Sequence, residues 1–125
     1  MGILTPDQLT QAQARAAAEL EASAMRGNLI ALDVAKTLLA VTLARQMALA
    51  DSAEQMRRER AYEEALRAAR REARERFSSD EEIEEALESV PYPALADAVK
   101  VNIGEAVRIA NLTTEALLRS RGLLA

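Results

Sequence analysis

Helix-breaking residues are scarce in this chain of 125 residues, which has only four glycines and three prolines. Ala, Leu, Glu and Arg, all strong helix formers, dominate the remainder. Val, Ile and Thr are mostly scattered singly, so no strand-like run stands out. An all-α fold follows, and the length suits one domain over residues 1–125.

The caps and apolar stripes divide the chain further. Thr5 is placed as an N-cap with Pro6 at the first helical position. The first helix is expected to run to about Arg26 and stop at Gly27, with Leu9, Ala12, Ala16, Leu20 and Ser23 inward. Asn28 can cap a second helix over 29–50, apolar on nearly every side, as a central or oligomer-buried helix would be. Asp51-Ser52-Ala53-Glu54 reads as a capping box, and the apolar stripe changes phase there. A tight reversal near Asp51 is therefore expected. The alternative is one helix from 28 to 77, about 75 Å long, which would force a dimer or a domain swap. The third helix ends at Phe77, a short acidic helix follows over 80–89, and Pro91-Tyr92-Pro93 stops it. The last helix is expected from Ala94 to Ser120, with Leu95, Val99, Ile103, Val107, Ala110, Thr114 and Leu117 inward. The expected architecture is a four-helix bundle with an additional short helix in the last crossover.

Composition narrows the chemistry. With no Cys and no His there is no thiolate nucleophile, no disulfide and no common transition-metal ligand. No metal and no cofactor are expected. No apolar run is long enough to span a membrane, and the first six residues lack the basic region of a signal peptide. A soluble, cytoplasmic protein without a membrane partner is expected. The net charge of −4 argues against a nucleic-acid partner. Arginines cluster between Arg57 and Arg76, but glutamates interleave with them. The stretch reads as a solvated, salt-bridged helix face; a phosphate-binding strip would need an uncompensated basic face.

Segments such as YEEALRAARREARERF and SSDEEIEEALES, with capped helices, alternating charges and short turns, resemble de novo designed helical bundles. A chain of that style is most informative where it breaks helix rules. Asn28, Lys36, Thr42 and Gln46 share a face with Leu32, Leu39 and Leu43; Lys100, Asn102 and Asn111 flank the last stripe. Gly104 falls inside the expected last helix, where it costs up to about 1 kcal/mol. Snorkelling lysines paired with Asp33 and Asp97, and asparagines fixing helix register, account for these residues structurally.

A functional reading stands beside that one. If the chain reverses near Asp51, Lys36 lies level with Leu66, about 6 Å below Tyr62, and positions 100–106 pass the same level. Lys36, Tyr62, Lys100 and Asn102 then converge on one cavity. An amine in an apolar pocket loses solvation of its charged form, its pKa falls, and it can form a Schiff base with a carbonyl. The set resembles the Lys–Tyr–Asn–Tyr tetrad of engineered retro-aldolases. That resemblance implies Lys36 as nucleophile, Tyr62 as acid/base and Asn102 or Asn111 as the orienting amide. Lys100 is the rival nucleophile, and Tyr92, between two prolines, is the only second tyrosine. The substrate implied is a small carbonyl compound or β-hydroxyketone. The alternatives are a small-molecule binder and a ligand-free scaffold, including a homo-oligomer.

Overall fold

The computed structural model describes residues 2–23, 29–95 and 98–125. The chain is mostly helical. Its elements are β1 (Gly2–Leu4), α1 (Pro6–Ser23), α2 (Leu32–Arg76), α3 (Asp80–Glu88), β2 (Val99–Val101) and α4 (Ile103–Arg121). None of the helices is long and apolar enough to cross a membrane among the described residues. The chain groups into two compact units: Met1–Ser52 with Ala96–Ala125, and Ala53–Leu95.

Local chemistry sets most helix ends. The Thr5 hydroxyl accepts the Gln8 N–H at 3.1 Å, and the Gln8 side chain accepts the Thr5 N–H at 2.8 Å. This reciprocal capping box starts α1 with Pro6 at its first position. Gly122 closes α4 in the left-handed conformation (φ 66°), and the Leu123 N–H returns to the Leu118 carbonyl at 2.9 Å. Leu123 and Leu124 then fold back on the core, and Ile30 exchanges backbone bonds with Leu123 and Ala125. The expected stop at Gly27 and cap at Asn28 lie outside the described residues.

The reversal at Asp51 is absent. α2 continues through it for 45 residues. Asp51 does not cap a helix; its carboxylate accepts the Ile3 N–H of β1 at 2.9 Å. A side chain on Gly2 would collide with that carboxylate, so only glycine admits the contact. Where four long helices and a short one were expected, the described residues form three long helices, a short one and a strand pair.

That strand pair was not foreseen. β1 and β2 are antiparallel, with Ile3 opposite Lys100 and Leu4 opposite Val99. Residues 99–101 are therefore strand, not the first turns of the last helix. α4 starts at Ile103, and its buried side is Ala106, Ile109, Ala110, Thr114 and Leu118. Ile103 and Val107, expected inward, are exposed.

In the first unit, α1, the first half of α2 and α4 share one core with Leu4. It contains Ala12, Ala16, Leu20, Ala35, Leu39, Leu43, Met47, Ala106, Ile109, Ala110 and Leu118. In the second unit, Ala73 of α2 and Leu87 of α3 are buried, and the Pro91–Leu95 segment carries Tyr92 onto Tyr62.

The continuity of α2 has a direct test. Proline is tolerated at the first position of a helix but costs about 3 kcal/mol inside one. Ser52→Pro is expected to lower unfolding stability by about that amount in urea denaturation. A neutral effect would mean that a helix starts at Ser52.

Candidate functional site

A largely apolar groove of the first unit lies between α2 and α4. It has a volume of about 390 Å³ and is lined by Lys36, Thr37, Ala40, Val41, Ala44, Ile103, Val107 and Asn111. Five of these side chains are aliphatic. Val41 and Ile103 stay 61% and 73% exposed, so the groove is open along one side.

The polar lining differs from residue to residue. The Thr37 hydroxyl donates to the Asp33 carbonyl at 3.1 Å, which ties it to its own helix. The Asp33 carboxylate accepts the Val34 N–H at 2.9 Å and forms no ion pair with Lys36, the local partner the sequence suggested. Lys36 is half-buried, and among the described residues no carboxylate oxygen lies within 4.0 Å of its ammonium. Asn111 brings an amide to the same groove from α4. The site therefore offers one cationic or nucleophilic amine and one amide on an aliphatic floor.

Other expected members are elsewhere. Lys100 is exposed on β2, and its suggested partner Asp97 lies outside the described residues. Asn102 is the N-cap of α4, where its side-chain oxygen accepts the Glu105 N–H at 2.8 Å. Gly104 is the second residue of α4, not a mid-helix break, and a Cβ there would press on the Asn102 oxygen at 3.2 Å. Tyr62 belongs to the second unit. It meets Tyr92 with ring centroids 5.1 Å apart and tilted by 56°, and the Arg58 guanidinium lies 6.0 Å from the Tyr92 ring. The two tyrosines do come together, but around an arginine. Of the proposed set, Lys36 and Asn111 share a site.

The cap of α4 carries a second electrostatic device. The Arg108 side chain hydrogen-bonds the Glu105 carboxylate, with Nε to Oε1 at 3.1 Å. That bond holds the Glu105 carboxyl below the usual carboxylate range.

The arginine-rich stretch of α2 is solvated as expected but only partly paired. On α2 in the second unit, Arg67, Arg70, Arg71 and Arg74 line an open groove of about 650 Å³ with Glu64. Among the described residues none of these four has a carboxylate within 4.0 Å. In this arginine-rich stretch the pairs that form are Arg57 with Glu54 and Arg76 with Glu72. Interleaving in sequence suggested compensation. At 100° per residue, however, these arginines fall on one side of the helix, and that spacing was the available signal. Among the described residues no cluster of three or more acids is placed to hold a metal ion.

No protein-family model, no curated protein and no solved structure matches this chain.

The Glu105 carboxyl has a lower pKa folded than unfolded, so its pairing adds stability above the ordinary value near 4.5 and loses it as the pH falls below that. In an NMR titration, Arg108→Ala is expected to move the Glu105 midpoint upward and to flatten the acid limb of the stability profile. An unchanged midpoint would mean that the pair does not persist in solution.

Proposed function

We propose that the α2–α4 groove binds a small, mainly apolar molecule bearing a carbonyl or carboxylate, anchored by Lys36 and oriented by Asn111. The observation that carries this reading is a half-buried amine on an aliphatic floor with no carboxylate within 4.0 Å among the described residues. A carboxylate ligand supplies the missing counter-charge, and its apolar body covers Val41, Ile103 and Val107. Small-molecule sites of this kind combine apolar walls with a few convergent polar groups.

A carbonyl ligand extends the same reading to covalent chemistry. The unprotonated amine attacks the carbonyl carbon, and the carbinolamine loses water to give a Schiff base. The Asn111 amide is the available donor to the carbinolamine oxygen. Retro-aldol cleavage of a β-hydroxyketone then requires a base for the β-hydroxyl proton. Among the described residues lining the groove there is no carboxylate and no phenol, which leaves solvent in the open groove as the acceptor. The reading is therefore a lysine-anchored binding groove with imine chemistry, and retro-aldol turnover is its slow extension.

The chain contains its own control, because it has only two lysines. Treatment with a small aromatic aldehyde and borohydride, followed by peptide mapping, is expected to modify Lys36 at least about tenfold faster than exposed Lys100. An apolar carboxylate in excess is expected to protect Lys36 alone, and Lys36→Met to weaken binding of that carboxylate about tenfold or more. Equal labelling of the two lysines with no protection would sink the proposal.

A further inference from the structure

The second unit carries two charged stripes with the same spacing. On α2, Arg67, Arg70, Arg71 and Arg74 stand at i, i+3, i+4 and i+7. On α3, Glu81, Glu84, Glu85 and Glu88 stand at i, i+3, i+4 and i+7. All eight are exposed, and among the described residues none forms an ion pair within 4.0 Å.

The two stripes cannot neutralise each other within one chain. α3 approaches α2 over Ala69 and Ala73, which line a small groove with Phe77, Ala86 and Val90. Leu87 is buried and Ile83 half-buried, so the glutamates of α3 turn outward. The arginine stripe lies roughly 130° around α2 from the side carrying Ala69 and Ala73. One face is left cationic and the other anionic.

We propose that the arginine face of α2 docks α3 of a second copy of this chain. Arginines and glutamates repeating at matched intervals on two helices can interleave as successive fork-to-carboxylate pairs. A two-fold arrangement satisfies both stripes of both copies at once. Phe77, three residues beyond Arg74 and partly exposed, supplies an apolar contact at the end of the stripe. Charge decides against a nucleic acid as the occupant. The unit Ala53–Leu95 holds eight arginines against twelve acids, so a polyanion approaching the stripe meets a unit of net charge −4. A second copy brings carboxylates on one face only and offers its own arginines in return.

The test is a charge swap followed by sedimentation velocity on the full chain. At about 20 mM salt and about 200 µM chain, wild type is expected to dimerise, and about 300 mM salt to weaken the dimer at least tenfold. The triple variant Arg67→Glu, Arg71→Glu, Arg74→Glu should be monomeric. So should Glu84→Lys, Glu85→Lys, Glu88→Lys. Mixing the two variants restores complementarity in both contacts and should restore a dimer, as should one chain carrying all six changes. Circular dichroism of the variants separates lost pairing from lost helix, and the six-fold variant keeps the idea testable if a triple variant unfolds. A wild type that stays monomeric at low salt overturns the proposal. So does a mixture that fails to pair, or salt-dependent binding of a single-stranded oligonucleotide in place of self-association.

Discussion

The Asp51 carboxylate accepts the Ile3 N–H across 48 residues of sequence, and much of the architecture follows from that bond. An N-cap must leave the helical conformation and turn its oxygen onto an amide two or three residues ahead. Asp51 stays helical and turns its oxygen toward β1. No glycine or proline lies between Gly27 and Pro91, so α2 has no local reason to stop before Arg76. β1, held at Ile3, pairs with β2 and removes residues 99–101 from the last helix. α4 then starts at Ile103 behind its Asn102 cap. Ile103 and Val107 consequently fall at the groove beside Lys36, not in the core. A single tertiary hydrogen bond thus bears on where the candidate site forms. Gly2 permits it, because a side chain there would occupy the space of the carboxylate.

Core composition explains why the groove is open. Five of the twelve buried residues of the first unit's core cluster are alanines, each removing little apolar area from water. The larger contributions come from residues such as Leu4, Leu43, Met47 and Leu118, at about 2 kcal/mol for each fully buried side chain. α2 carries more aliphatic residues than that narrow core accepts. Val34, Leu38, Val41 and Leu49 stay exposed on its outer side. An all-round apolar helix read from sequence as central is here half core and half surface. Of that surplus, Val41 forms part of the floor on which Lys36 lies.

The sequence was legible where one stretch of chain decides the outcome. Thr5, Pro6 and Gln8 form a capping box from their own side chains, and Gly122 closes α4 by its own backbone freedom. Leu9, Ala12, Ala16 and Leu20 form the face α1 turns inward, since an amphipathic period needs no distant partner to be read. It was illegible where the deciding partner is remote. Three-residue strands carry no periodic signal, and Asp51 is locally as good a cap as Thr5 until β1 arrives. The same limit applies to the site. Lys36 stood out as a polar residue among leucines, and Asn111 followed from its stripe. The expected level of Tyr62 rested on a reversal near Asp51, where α2 instead continues, and that of Lys100 on a last helix beginning near Ala94, where residues 99–101 are strand.

The two proposed surfaces rest on opposite sides of one electrostatic balance. The first unit holds eight basic and eight acidic residues, so a single unpaired ammonium on an aliphatic floor acts without a background field. A carboxylate ligand whose apolar body covers the groove would exclude water from that contact and make it less sensitive to salt. The second unit carries the whole net charge of −4 and divides it between two faces. Exposed ion pairs contribute only about 0–1 kcal/mol each, so no single arginine in the stripe can hold a partner. Four in register hold one only where screening is weak and the partner presents carboxylates at the same interval. A helix of this chain's own α3 type meets that condition, and a uniformly charged polymer matches the charge but not the interval.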